Sequence, residues 1–416
     1  MLRFRFYSVA VCLSFLSSSN LFGQNKIPDV EDRYKSLETF SRVMFYVESM
    51  YFDEGKSQQD DLIDNSIKGM MDKLDPHSMY LPQKAFQQFT VDTRGKFGGI
   101  GVIVSQERDK LIVVSPIEDT PAARAGILSG DEIIEIDDKK IESIKNTDVM
   151  NLMSGRPGTV CKLKIRRPNV KGTLDFTLRR EIIKIKSVRR IALDNNVQYI
   201  RIVSFQEDTA DQFSEELLKA KNNTSALIID LRDNPGGLLD RAIQIADLFI
   251  DSGIIVSTVG RNKARIEREF ANKRGTLGNI PIIVLVNNGS ASASEIVAGA
   301  LQDHHRALVI GTQTFGKGSV QTLLSLPNGA GLKLTVARYF TPSGKSIHGV
   351  GIKPDITKDF RPSEKDMSLP MAQKLKSDAQ LKTAIAYIDQ WKKISPGGSK
   401  DGKAIKVPNN LQTLKL

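Results

Sequence analysis

The sequence predicts an α/β core that carries an inserted β-rich domain and is preceded by an N-terminal helical region. Three observations predict it. Apolar residues recur at helical spacing from Asp29 to about Phe89, short strands punctuated by glycine turns run from Lys96 to about Arg180, and strands alternate with helices from Ile182 onward. Alternation of that last kind is the signature of a mainly parallel sheet covered by helices. At 416 residues the chain is too long for one ordinary core and suits two or three domains.

Residues 1–23 read as a secretory signal peptide: Arg3 and Arg5 precede an apolar stretch from Tyr7 to Leu16, followed by small and polar residues up to Gly23. The apolar stretch is shorter than the roughly 20 residues a membrane-spanning helix needs. An uncleaved signal would nonetheless leave the protein associated with a membrane. Composition, with 40% hydrophobic and 26% charged residues, is that of a soluble globular protein rather than a disordered or fibrous one. The net charge of +11 suggests an anionic partner, but both signs are interspersed and no aromatic-interleaved basic motif accompanies them, which argues against nucleic acid. Cys12 lies in the leader, so Cys161 alone remains and no intrachain disulfide forms.

The helical region covers residues 27–93. Leu37, Phe40, Val43, Met44 and Val47, then Leu62, Ile63, Ile67, Met70 and Met71, predict two amphipathic helices that end at the prolines Pro76 and Pro82. The β-rich domain covers residues 94–180, with strands at 111–114, 132–136, 160–165 and 173–178 and short helices at 121–125 and 147–153. In the third strand Cys161, Leu163 and Ile165 share the apolar face, which makes Cys161 a core residue rather than a nucleophile. The core covers residues 181–357: strand 198–204, helix 210–221, strand 226–230, helix 238–250, strands 254–259 and 280–287, helix 293–303 and strand 307–312. Residues 358–416 turn Lys-, Ser- and Gly-rich apart from one helix at 378–391, and read as a peripheral tail.

The densest chemical signal is Asn287-Asn-Gly-Ser-Ala-Ser292-Ala-Ser-Glu295, which joins a buried-type strand to a helix. Small residues permit close backbone approach there, and the helix N-terminus aims free N–H groups at a developing anion, an architecture suited to acyl transfer. A serine hydroxyl needs a base. Of the four histidines, His304 and His305 lie at the far end of the helix that starts near Ser292, about 15 Å away, and cannot reach it through that helix. A lysine serves if burial drives its pKa far below about 10.4. Thr314-Phe-Gly-Lys317-Gly-Ser-Val-Gln321 supplies Lys317 in a tight, glycine-flanked setting, and Gln321 offers an amide to hold a neutral amine. Paired glycines in Asp230-Leu-Arg-Asp-Asn-Pro-Gly236-Gly237-Leu238 offer backbone N–H groups for an oxyanion. Ser290, Ser294 and Ser319 read as caps or turn residues, and no metal-ligand cluster stands out.

These segments resemble the carboxyl-terminal-processing (tail-specific) serine protease family. Its Gly-Ser-Ala-Ser-Ala-Ser-Glu and Phe-Gly-Lys-Gly-x-x-Gln motifs are matched here without substitution, 25 residues separating Ser292 from Lys317. The resemblance makes Ser292 the nucleophile, Lys317 the general base and Gln321 the base-orienting residue. It assigns the oxyanion hole to Gly237 and Ala293, with Gly236 nearly as plausible from sequence. It implies a Clp protease/crotonase-like core, and no metal, nucleotide or other cofactor.

Phe97-Gly-Gly-Ile-Gly-Val102 opens the β-rich domain with consecutive glycines able to cradle a carboxylate beside a strand edge. With Gly126-Ile127 and Gly130-Asp-Glu-Ile-Ile134, the domain resembles a bacterial PDZ module. Gly99, Ile100, Gly101 and Val102 are then the peptide-binding residues, and Val149, Leu152 and Met153 close an apolar pocket. The resemblance extends to Leu74–Leu81 and Tyr339–Ile347 and covers about residues 35–357. It implies an exported, bacterial periplasmic serine endopeptidase that holds protein C-termini in its PDZ domain and cleaves the adjoining chain through an acyl-enzyme. The partners are protein or peptide substrates with accessible C-termini; a homo-oligomer is compatible with the sequence.

Overall fold

The computed structural model describes residues 30–107, 110–117, 119–141, 152–168, 170–220, 224–263, 266–272, 280–360, 375–395 and 405–414. The leader and Val149 lie outside these. The chain forms two compact units, residues 1–70 and 71–416. In the first, α1 (Val30–Met50) and α2 (Gln59–Asp72) are the two helices the periodicity predicts. Leu37, Phe40 and Val43 of α1 are exposed. Among the described residues no helix is long and apolar enough to cross a membrane.

The second unit opens with β1 (Met79–Leu81) and α3 (Gln83–Arg94), neither foreseen, since Pro82 here starts a helix instead of ending one. The chain passes into the β-rich module through β2 (Lys96–Gly99). The module's strands are β3 (Val102–Glu107), β4 (Lys110–Pro116), β5 (Glu132–Ile136), β6 (Lys139–Lys140), β7 (Val160–Arg166) and β8 (Leu174–Arg179), with α4 (Pro121–Arg124) between β4 and β5. They form one antiparallel sheet in the order β3-β4-β5-β7-β8, with β6 on β5. Cys161, Leu163 and Ile165 alternate into its core as the period of two requires, and burial pushes the Cys161 thiol up to about 11. The chain leaves through β9 (Glu181–Lys184), which pairs antiparallel with β2.

The core follows as β10 (Val188–Ala192), β11 (Val197–Ile202), α5 (Thr209–Ala220), β12 (Ala226–Asp230), α6 (Leu239–Asp247), β13 (Ile254–Gly260), β14 (Ile266–Phe270), β15 (Ile282–Val286), α7 (Ala293–Asp303), β16 (Leu308–Gly311), β17 (Ser319–Ser325), β18 (Gly331–Phe340), β19 (Ile356–Thr357) and α8 (Ala379–Ile394). One sheet runs β10-β11-β12-β15-β16-β19, parallel except for β10. β13, which the alternation places in this sheet, instead joins a second, antiparallel sheet with β14, β18, β17 and β1. One neighbour there, β14, follows it as a hairpin, but the other, β18, lies some 80 residues on in sequence, so no local period announces it.

The main sheet buries both faces. Ile200, Ile229, Val284 and Val309 pack with α5, α6 and α7. Tyr199, Ile228, Leu285 and Ile310 pack with Leu381, Tyr387, Ile388 and Trp391 of α8 and with Val407 and Leu411. The segment read as a peripheral tail is therefore the second layer of the core. The helix expected at 378–391 forms, and its apolar face is buried, with Asp378 capping it by accepting the Leu381 N–H at 2.9 Å.

Candidate active site

Strand β15 is apolar throughout and delivers the chain to a turn that the side chains of Asn287 and Ser290 shape. Asn287 Oδ1 accepts the Gly289 N–H at 3.0 Å and the Asp233 N–H at 2.9 Å, and the Ser290 hydroxyl donates to the Leu231 carbonyl at 2.8 Å. The Ser294 hydroxyl donates to the Asn234 carbonyl at 3.0 Å. Ser290 is thus a turn residue, and Ser294 braces the first turn of α7. Ser292, between them, caps α7 with φ 55° and ψ −115°, a left-handed conformation that a non-glycine residue adopts only where surrounding contacts impose it.

Those contacts converge on Glu295, a fully buried carboxylate one turn into α7. Its Oε2 accepts the N–H of Ser292 at 2.8 Å and of Lys317 at 2.9 Å; its Oε1 accepts the Gly316 N–H at 2.7 Å and the Thr314 hydroxyl at 2.6 Å. One side chain therefore ties the backbone of the nucleophile candidate to that of the base candidate. Burial raises the Glu295 carboxyl above its ordinary range, the four hydrogen bonds opposing it. Sequence reasoning missed this role, although Ser292-Ala-Ser-Glu295 has the spacing of a helix capping box.

Ser292, Ala293, Lys317, Gln321, Gly236 and Gly237 line a single cleft of about 460 Å³. Burial holds the half-buried Lys317 ammonium below its ordinary value, with the Glu295 charge opposing it. No acceptor among the described residues takes a hydrogen bond from that ammonium. Gln321 is in the cleft but donates to Ser319 Oγ at 2.8 Å and more weakly to Thr335 Oγ1 at 3.4 Å, not to Lys317. The Tyr339 hydroxyl donates to the Lys317 carbonyl and lies against Ser292, a neighbour that sequence reading did not single out. Burial depresses the His77 imidazole pKa, and the nearby Lys317 charge adds to that effect. His304 is turned away, its Nε2 at 2.8 Å from the Ile254 carbonyl.

The two glycines differ. The Gly236 N–H is taken by Asn234 Oδ1 at 2.9 Å, while a Cβ on Gly236 would stand 2.7 Å from the Ser292 Cβ. Gly236 is the close-approach residue. Gly237 is exposed to the cleft, and neither its N–H nor that of Ala293 meets an acceptor among the described residues.

In the β-rich module Gly99 pairs with Glu181 across the β2–β9 ribbon, and Ile100 and Val102 are buried in the module core. The Ile100 carbonyl accepts the Ala122 N–H, and the Gly101 carbonyl accepts the Ile117 N–H, both at 2.9 Å. Leu152 and Met153 pack into the same core. Metal-binding clusters of three or more His, Cys, Asp or Glu are absent among the described residues.

Residues 196–358 match peptidase family S41 and residues 98–178 match a PDZ domain. The fold and these matches define a serine-type peptidase with an S41-family α/β core and an inserted PDZ domain. A carboxy-terminal-processing protease of Bartonella bacilliformis is 44% identical over 349 residues, covering 82% of this chain and 80% of that protein. The carboxy-terminal processing protease CtpA of Bacillus subtilis is 35% identical, covering 83% and 73%. A solved photosystem II D1 C-terminal processing protease is 26% identical, with a TM-score of 0.45 and coverage of 77% and 92%. The chain belongs to the carboxyl-terminal-processing (tail-specific) serine protease family.

Proposed function

We propose that the protein is an exported endopeptidase that holds the C-terminus of a protein substrate in its PDZ domain and cleaves the adjoining chain with a Ser292–Lys317 dyad. The observation that carries this reading is the shared anchor: Glu295 accepts the backbone N–H groups of both Ser292 and Lys317 beside one cleft. Neutral Lys317 takes the Ser292 proton as Oγ attacks the scissile carbonyl. The tetrahedral oxyanion takes hydrogen bonds from the Gly237 and Ala293 N–H groups, which have no other acceptor among the described residues. Protonated Lys317 then gives its proton to the departing amine, and water hydrolyses the acyl-enzyme through the same base. Gln321 holds Lys317 once substrate tightens the site, since catalytic hydrogen bonds are often long in the free enzyme.

The test is hydrolysis of a protein with an extended C-terminal tail by the purified enzyme, compared with Ser292→Ala and Lys317→Ala. Both variants are expected to lose on the order of 10⁴-fold or more in kcat. Mass spectrometry of the trapped wild type should place the acyl group on Ser292. Undiminished turnover in Lys317→Ala sinks the dyad. Export rests on the leader at residues 1–23, and N-terminal sequencing of the fractionated protein decides whether it is removed or left as an anchor.

A further inference from the structure

The cleft holds a second lysine. Lys333 of β18 stands opposite Leu323 of β17 and Met79 of β1, two residues from Thr335, which stands opposite Gln321. Alternation along the strand puts Lys333 and Thr335 on one face, so the Lys333 ammonium reaches the cleft about 7 Å along the ladder from the Gln321 level. It sits 5.3 Å from the Phe89 ring centroid and forms no salt bridge with any described residue. The carboxylate whose charge it feels, Asp75, already accepts the N–H groups of His77 and Ser78, the Ser78 hydroxyl and the Thr335 hydroxyl. The residues lining the cleft include two lysines and no aspartate or glutamate. Burial and then the Lys317 charge hold the Lys333 ammonium below its ordinary value, with Asp75 opposing; with Lys317 neutral in the competent enzyme that second effect is gone, and Lys333 is the positive charge left in the half-buried lining of the cleft.

We propose that Lys333 is a specificity-determining residue that receives a carboxylate of the substrate. An extended chain advances about 3.3 Å per residue. The carboxylate is therefore an aspartate or glutamate side chain two or three residues from the scissile bond, or a terminal carboxylate that reaches the cleft. This rests on the peptidase reading above. The cavity between the PDZ domain and the core makes a contrast: Asp208, Asp211, Glu215 and Glu216 face Lys96 and Lys219 there, so that surface has no such bias.

The experiment compares kcat/KM for paired peptides: Asp against Asn at each position two and three residues from the cut, and free acid against C-terminal amide. The wild type is expected to prefer one carboxylate peptide by about tenfold, and the pair that shows it identifies the source. In Lys333→Met, which keeps the stem against Phe89, the ratio should fall to near one; in Lys333→Arg it should persist. Melting temperatures show whether each variant is folded. Equal ratios in wild type and Lys333→Met overturn the proposal, as does loss of the ratio in the arginine variant. A wild type that cleaves no peptide strikes the peptidase reading itself.

Discussion

Two fully buried carboxylates, Asp230 at the end of β12 and Glu295 at the start of α7, solve the same electrostatic problem in opposite ways. Asp230 faces a second charge: its oxygens accept from Arg232 Nη2 at 2.6 Å and Nε at 2.9 Å, and from the Tyr199 hydroxyl. Arg232 holds the Asp230 carboxyl below the usual range against the opposing effect of burial. Arg232 also reaches Asp378 at 2.7 Å and Gln380 at 3.0 Å, so the charge pair bolts α8 to the sheet. Glu295 has only neutral donors, and burial wins. Compensation by charge serves architecture; compensation by dipoles leaves a negative charge beside Ser292 and Lys317 that fixes their backbones.

The contrast breaks most visibly at Arg232. Arg232→Met strands two buried carboxylates and is expected to lower stability by about 3–5 kcal/mol in urea denaturation. A loss under about 1 kcal/mol would erase the distinction. Glu295→Gln turns an amide N–H₂ toward hydrogen-bond donors and should lower kcat by about 10²-fold, roughly 2.7 kcal/mol. Its melting temperature should stay within about 4 °C. The sign supports this: the folded pKa of Glu295 lies above the unfolded one, so its favourable contribution is complete at acid pH and lost as pH rises through the folded value. Removing the charge at neutral pH therefore removes a penalty.

A milder probe is pH. With Lys317 as the proposed base, its protonated form would be inactive, so kcat/KM should rise about tenfold per pH unit until the lowered Lys317 pKa, about 1.4 kcal/mol per decade. In Glu295→Gln that limb should move to lower pH, because the charge that favours the ammonium is gone. A limb that stays in place would mean Glu295 acts by geometry alone. The smallest effect belongs to Tyr199→Phe, which removes one hydrogen bond from Asp230 and should reduce stability by about 1 kcal/mol without changing kcat.

Local signals were the legible ones. The alternation around Cys161, the turn at Ser292, the lysine loop and the helix behind Ser292 each depend on neighbours within a few residues. What stayed hidden depends on distant partners. The choice between Gly236 and Gly237 is made by the Asn234 side chain, which takes the first N–H. β13 leaves the main sheet because β18 offers it a partner some 80 residues later. Phe89 and Lys333 face one cleft only because α3 and β18 meet there. The docking of α8 hides behind a Lys-rich composition, since a helix needs only one apolar face to find a sheet.

That docking makes a late segment of the chain a condition of the core. Without Leu381, Tyr387, Ile388 and Trp391, the side chains of Tyr199, Ile228 and Leu285 would face solvent on one side of the sheet, and Arg232 would lose Asp378. Residues more than 60 positions beyond Lys317 thus complete the scaffold on which the cleft is built.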